Sequence, residues 1–296
     1  MHAKAAAIGD SKTLLIDSHC HLDLEQFDDD REDVVERARA ADVHIIVNPG
    51  IDLVHSRQAI ALAETYREIY AAVGVHPTSS AEFDSHTVTE LRALAANPKV
   101  VAIGEIGLDY HWDTVAPEQQ KAALRAQLAL AAELGLPVII HSRDSNEDMA
   151  EELSRWVQGE EFRVSALAAR PFAGVLHAFS GDAAMAEAAY EWGFVVSLGG
   201  PVTYKNAEAL RELVPYLRRD RLMLETDAPY LSPHPYRSKR NEPSYVRIVC
   251  ERLAEIYGAN VDEIAAESTA LAIQFFGLEK SSGGQTDVMA RANPER

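Results

Sequence analysis

The sequence predicts a single-domain α/β protein of the (β/α)8, or TIM-barrel, class, and three observations carry that prediction. Eight short β-rich runs alternate with longer helical stretches, the pattern of parallel α/β architecture. The eight units fit within 296 residues, close to the roughly 250 residues that such barrels occupy. At or just beyond the C-terminal end of most runs stands an ionisable or polar side chain. A barrel gathers all those strand ends on one face, whereas an open doubly wound sheet would spread them along an edge.

The first run, "TLLID" (13–17), leads into "SHCHLD" with His19 and His21 two apart. Alternation along an extended chain puts such a pair on one side, with Cys20 facing the other way. "HIIVN" (44–48) ends on Asn48, "YAAVGV" (70–75) is followed by His76, "VVAIGE" (100–105) ends on Glu105 and "PVIIH" (137–141) on His141. "GVLH" (174–177) ends on His177, "FVVSL" (194–198) is apolar, and "RLMLET" (221–226) precedes Asp227. Helical stretches between them include "REDVVERARAA", "NAEALRELVPYL" and "PEQQKAALRAQLALAAEL", the last with Pro117 at a first helical position. "GEEFRVSALAARPFAG" (159–174) lengthens the link between the fifth and sixth strands and is expected to be a loop insertion. Residues 1–12 read as a flexible N-terminal tail, 13–279 as the barrel domain, and the polar 280–296 as a disordered C-terminal tail.

With 47% hydrophobic residues the chain has enough apolar side chains for one large core. A formal charge of −18 argues against a patch-driven nucleic-acid binder, which would use excess Lys and Arg to displace counterions from phosphate. Two widely separated cysteines form no disulfide framework, and "MHAKAAAIGDSK" lacks the apolar core of a signal peptide. No apolar stretch approaches the roughly 20 residues that span a bilayer. A cytoplasmic location without membrane attachment is expected, and no obligate protein partner is inferred.

One H-x-H pair is as often structural as metal-binding. Convergence changes that balance, because His19, His21, Glu105, His141, His177 and Asp227 would share one end of a barrel, and six such groups exceed the needs of one tetrahedral ion. A carboxylate can bridge two ions about 3.5–4 Å apart, the usual clamp for displacement at phosphorus. The expected cofactor is therefore a pair of divalent cations, for which four imidazoles favour Zn or Mn over Mg.

"IDSHCHLD", "GVHP", "GEIGLDY", "IIHSRD", "HAFSG", "ETDAPYL" and "KRNEP" stand in the order found in the TatD family of metal-dependent deoxyribonucleases, and from about residue 14 to 278 the chain resembles that family. The resemblance implies that the six residues above are metal ligands, with Glu105 bridging. It also implies DNA as the partner, chiefly chain ends or single strands, degraded from the 3′ end. The stretched 159–174 segment departs from the family's compact spacing and bears on substrate preference.

The expected reaction is hydrolysis of a phosphodiester by a water that the cations activate, with Asp227 as general base. Such chain-end action reconciles an acidic protein with an acidic polymer. His76 is expected to touch the scissile phosphate or leaving oxygen, against the plainer reading of a loop histidine held by Pro77. Glu225, two before Asp227, reads as a carboxylate supporting the ligands. Lys239 and Arg240 in "YRSKRNEP" are expected to bind substrate, though a solvated loop leading into a helix with Pro243 near its start reads as well. Tyr110, with Trp112, could stack on a base, and core packing competes with that role. His44, His55, His86, His111 and His234 read as non-ligands, and the "GDAAMAEAAYEWG" stripe as helix packing. The alternative activity is ester hydrolysis, such as deacylation of a D-aminoacyl-tRNA; a non-catalytic interaction module fits six intact ligands poorly.

Overall fold

The computed structural model describes residues 14–280 and 286–288. Strands β1 (Leu15–Asp17), β2 (Val43–Pro49), β3 (Ile69–Val73), β4 (Val100–Asp109), β5 (Val138–Arg143), β6 (Gly174–Leu176), β7 (Phe194–Leu198) and β8 (Leu222–Leu224) pair in parallel in chain order. Helices α1 (Arg31–Ala40), α2 (Leu53–Thr65), α3 (Ser85–Leu94), α4 (Pro117–Leu134) and α5 (Asn146–Gln158) follow the first five strands. The short α6 (Glu160–Arg163) then precedes α7 (Ala183–Glu191), α8 (Glu208–Leu213), α9 (Val246–Tyr257) and α10 (Val261–Phe276). This is the (β/α)8 barrel the sequence predicts. Among the described residues no helix is long and apolar enough to cross a membrane.

Beyond the ladders, backbone hydrogen bonds close the ring between the first and last strands. Ser18 N–H donates to the Leu224 carbonyl at 3.0 Å, Asp227 N–H to His19 at 2.9 Å and His21 N–H to Ala228 at 2.8 Å. The closure seam thus carries the H-x-H pair and Asp227 side by side.

Alternation along the strands sorts the apolar residues into two cores. Ile16, Ile45, Tyr70, Val101, Ile139, Val175, Val195 and Met223 share a cluster with Leu271, Phe275 and Phe276, which α10 brings to the barrel interior. Their neighbours, among them Leu15, Ile46, Ile103, Val138, Leu176 and Phe194, pack outward against the helices. Val175, Ile139 and Met223 stand two residues before His177, His141 and Glu225, so the same period that buries them turns those polar groups toward the barrel mouth.

Three details differ from the sequence reading or refine it. Strand β4 runs four residues past Glu105, which therefore lies inside the strand, because the chain continues to pair with β5 through Gly107↔His141 and Asp109↔Arg143. A Cβ at Gly107 would sit 1.9 Å from the His141 carbonyl oxygen, so glycine is what allows this approach. The 159–174 segment is not an irregular loop. It holds α6 and a turn at Leu167–Ala169, with Leu167 buried and the Phe162 ring 4.7 Å from that of Trp156. It packs where α4 ends at Gly135, the end of the barrel away from the strand C-termini. Past the barrel, β9 (Leu278–Lys280) pairs antiparallel with β10 (Thr286–Val288). The rest of the expected C-terminal tail, and the expected N-terminal tail, lie outside the described residues.

Candidate metal centre

All six sequence-expected ligands converge. Glu105 is 3% exposed and divides its two oxygens between two groups of imidazoles. Oε2 lies 3.3 Å from Nε2 of His19 and 3.4 Å from Nε2 of His21. Oε1 lies 2.8 Å from Nδ1 of His141 and 2.8 Å from Nε2 of His177. Asp227 completes the first group, with Oδ1 3.7 Å from His19 Nε2 and 3.6 Å from His21 Nε2. Left-handed backbone at Asp227 (φ 55°) and at Ala178 (φ 44°), beside His177, bends the chain just past β8 and β6 where these side chains turn in.

The outer nitrogens tell which face of two rings is free to act. His21 Nδ1 is 3.2 Å from the Pro49 carbonyl oxygen, which can only accept, so the ring proton sits on Nδ1 and Nε2 presents a lone pair to the cluster. His141 Nε2 lies 3.2 Å from Asp109 Oδ2 and by the same logic leaves Nδ1 as donor of electrons. Behind His177, Glu225 Oε1 stands 3.7 Å from Nδ1. Glu225 is held in turn by the Ala178 N–H at 2.7 Å and the Ser197 hydroxyl at 2.5 Å.

His76 is oriented the opposite way. Its Nδ1 accepts from the Thr78 N–H at 3.2 Å and lies 2.7 Å from the Thr78 hydroxyl. Burial pushes the ring down to about 3, so it is neutral and its proton sits on Nε2, 3.6 Å from Glu105 Oε1. His76 thus turns Nε2 toward the centre, and with Asp109 and His141 it brings a third group of metal-ligand atoms close together there.

The electrostatics call for positive charge between these groups. Burial works against ionised Glu105, yet His177, His19 and His76 outweigh it and hold the carboxyl well below its usual range. Burial opposes a charged His21, but Glu105, Asp227 and Asp23 raise it to about 9; His141 and His177 are raised by carboxylates in the same manner. Burial pushes Asp227 up to about 6. Without a cation the raised imidazoles meet that need as protons, and imidazoles and carboxylates turned inward fit divalent first-row cations that would take the protons' place. His19, His21, Glu105 and Asp227 could hold one, and His141, His177 and Glu105 another.

Above the centre opens a cavity of about 1310 Å³, whose wall includes His76, Trp112, Arg143, Phe179, Tyr216 and Tyr230. Lys239 and Arg240, expected to bind substrate, are not on that wall. Arg240 instead makes a bidentate pair with Asp30 at 2.7 Å and covers the Phe27 ring at 4.6 Å, because the short turn Glu25–Phe27 and α1 come up beside the loop. Tyr110, expected to stack on a base, donates its hydroxyl to Asp148 at 2.7 Å and packs against the core, while Trp112 of the same motif is on the wall and 52% exposed. Asp109 and Arg143 escaped the sequence reading. Of the five histidines set aside, His55 pairs with Asp52, His111 with Asp144, and the other three are exposed.

The sequence matches the family described as TatD related DNase over residues 16–277. It is 44% identical over 265 residues to the uncharacterized metal-dependent hydrolase YabD of Bacillus subtilis, covering 90% of this chain and 100% of that one. It is 38% identical over 270 residues to the 3′-5′ ssDNA/RNA exonuclease TatD of Erwinia amylovora, covering 89% and 100%. The crystal structure of YjjV, a TatD homolog from Escherichia coli K12, superposes with a TM-score of 0.81 at 34% identity over 90% of this chain and 98% of that one. The barrel, the converging ligand set and these similarities together place the chain in the TatD-related DNase family of metal-dependent hydrolases.

Proposed function

We propose that the protein is a nuclease that hydrolyses phosphodiester bonds at the 3′ end of single-stranded DNA, using two divalent cations held on either side of Glu105. The observation that carries this reading is the division of the Glu105 carboxylate, one oxygen toward His19 and His21, the other toward His141 and His177. The 3′-5′ ssDNA/RNA exonuclease name borne by the Erwinia relative supports the substrate class. When bound, the cations would lower the pKa of water and neutralise charge developing on the transferring phosphoryl group.

The chain's own residues supply the rest. Asp227 is the carboxylate of the cluster most open to the cavity, its side chain 15% exposed against 4% for Glu105. Its carboxylate, raised toward neutrality by burial, is suited to take the proton of the attacking water. His76 Nε2–H points into the same space and can donate to a phosphate or leaving oxygen as charge builds there. Asp109 and Glu225 hold His141 and His177 in place.

The test is a product ladder. Mn²⁺-loaded protein is incubated with 3′- and 5′-labelled single strands, blunt duplex and D-aminoacyl-tRNA. Stepwise shortening of the 5′-labelled single strand is the expected result. Release of the aminoacyl group with intact DNA would replace this reading by ester hydrolysis.

A further inference from the structure

Among the described residues that line the cavity, Arg143 is the one Lys or Arg. It lies two residues past His141 on β5, so it projects to the same side about 7 Å farther along the strand. Across the ladder it pairs with Asp109, but Asp109 gives its Oδ2 to His141, and Arg143 makes no ion pair among the described residues. Its guanidinium instead stands 5.8 Å over the ring of Trp112.

Resting on the phosphodiesterase reading above, we propose that Arg143 and Trp112 form a clamp for the nucleotide adjoining the scissile bond. Arg143 takes the neighbouring phosphate, which its planar fork suits, and Trp112 stacks on the base. Distance separates the two tasks at the site. Glu105, His76 and Asp227 surround the reacting phosphate, and Arg143, a strand step beyond His141, is set to meet the next one of an extended strand. Stacking on Trp112 needs a base whose face is free, so the clamp selects unpaired chain ends. It also bears on how an acidic protein holds an acidic polymer: one phosphate is met by a cation, and the wall, which carries Asp182 and Glu212 as well, offers apolar and aromatic contact from Phe179, Tyr216 and Tyr230.

The experiment compares a short single-stranded oligonucleotide with bis(p-nitrophenyl) phosphate, which has one phosphate and no base. Arg143→Ala is expected to raise KM for the oligonucleotide on the order of tenfold and to lose at least several-fold less on the small diester. It should also flatten the salt dependence by about 0.7 in log–log slope, the contribution of one single-strand phosphate. Arg143→Lys, which keeps the charge, should restore the slope and part of the KM. Trp112→Ala is expected to lose on the order of tenfold on the normal strand and little on one made abasic beside the scissile bond. A readout independent of turnover uses Asp227→Asn protein: oligonucleotide binding should quench tryptophan fluorescence, and the added change Trp112→Phe should abolish that quench. Equal losses of Arg143→Ala on both substrates with an unchanged salt slope, or a quench that survives Trp112→Phe, would overturn the clamp alone. Failure of the metal-loaded wild type to hydrolyse either diester would overturn the nuclease reading, and the clamp with it.

Discussion

His141 gives its Nε2–H to Asp109 at 3.2 Å, and this single contact decides that the ring's other nitrogen faces Glu105. Removing the acceptor frees the ring to rotate or change tautomer. Asp109→Ala is therefore expected to weaken cation binding by about 10- to 100-fold, with the loss confined to one of two sites. Titration calorimetry with Mn²⁺ reads this directly. Two unaltered binding steps would show that Asp109 does not position His141.

His76 is expected to behave unlike the ligands. Its Nδ1 is committed to Thr78, so the group it offers the centre is a proton donor. His76→Ala should lower kcat by about 100- to 1000-fold, the usual loss for one donor at a developing charge, while metal content stays at the wild-type value. His76→Gln should recover part of the rate. A protein that loses a cation on His76→Ala would make this histidine a ligand.

Asp227→Asn is expected to cut kcat by two to four orders of magnitude, roughly the range of a general base, because the amide cannot take a proton from water. The loss should exceed any rise in KM when initial rates are measured across substrate concentration. Near-normal kcat at saturating metal would assign the proton transfer elsewhere.

The pairing of Arg240 with Asp30 is a stability feature with a definite pH sign. The Arg240 hydrogen bonds hold the Asp30 carboxyl down to about 2, below its unfolded value near 4. A lowered folded pKa contributes stability that is present above the unfolded value and is lost as pH falls through the folded one. Both side chains are about a third exposed, so the pair is worth at most about 1 kcal/mol. Arg240→Ala should therefore lower urea-derived stability modestly at pH 5 to 7 and progressively less at pH 3 and below. KM for an oligonucleotide should stay at its wild-type value. A large rise in KM would return Arg240 to the substrate.

How much of this could be read in the sequence follows from how local each feature is. The strands were legible because apolar runs ending in His or Asp mark the mouth of a barrel, and His141, His177 and Asp227 fall where those runs predict. Strand β4 is harder to follow past Glu105, because the glycine and aspartate of "IGLD" are residue types that also mark turns. Gly107 is there for another reason, the close passage of His141, and Asp109 was missed with it. The partner of Arg240 and the ring orientation of His76 are hidden differently. Arg240 meets a partner 210 residues away, and His76 is turned by a hydrogen bond of its own loop, so neither orientation leaves a mark in spacing or composition.

The central claim is that Glu105 joins two cations. Electron paramagnetic resonance of the Mn²⁺-loaded protein tests it most directly, with total metal measured on the same sample. The account requires about two ions per chain and a spin-coupled signal in the wild type, lost in Glu105→Ala even where metal is still bound. A single ion per chain, or two magnetically isolated ions in the wild type, would contradict it.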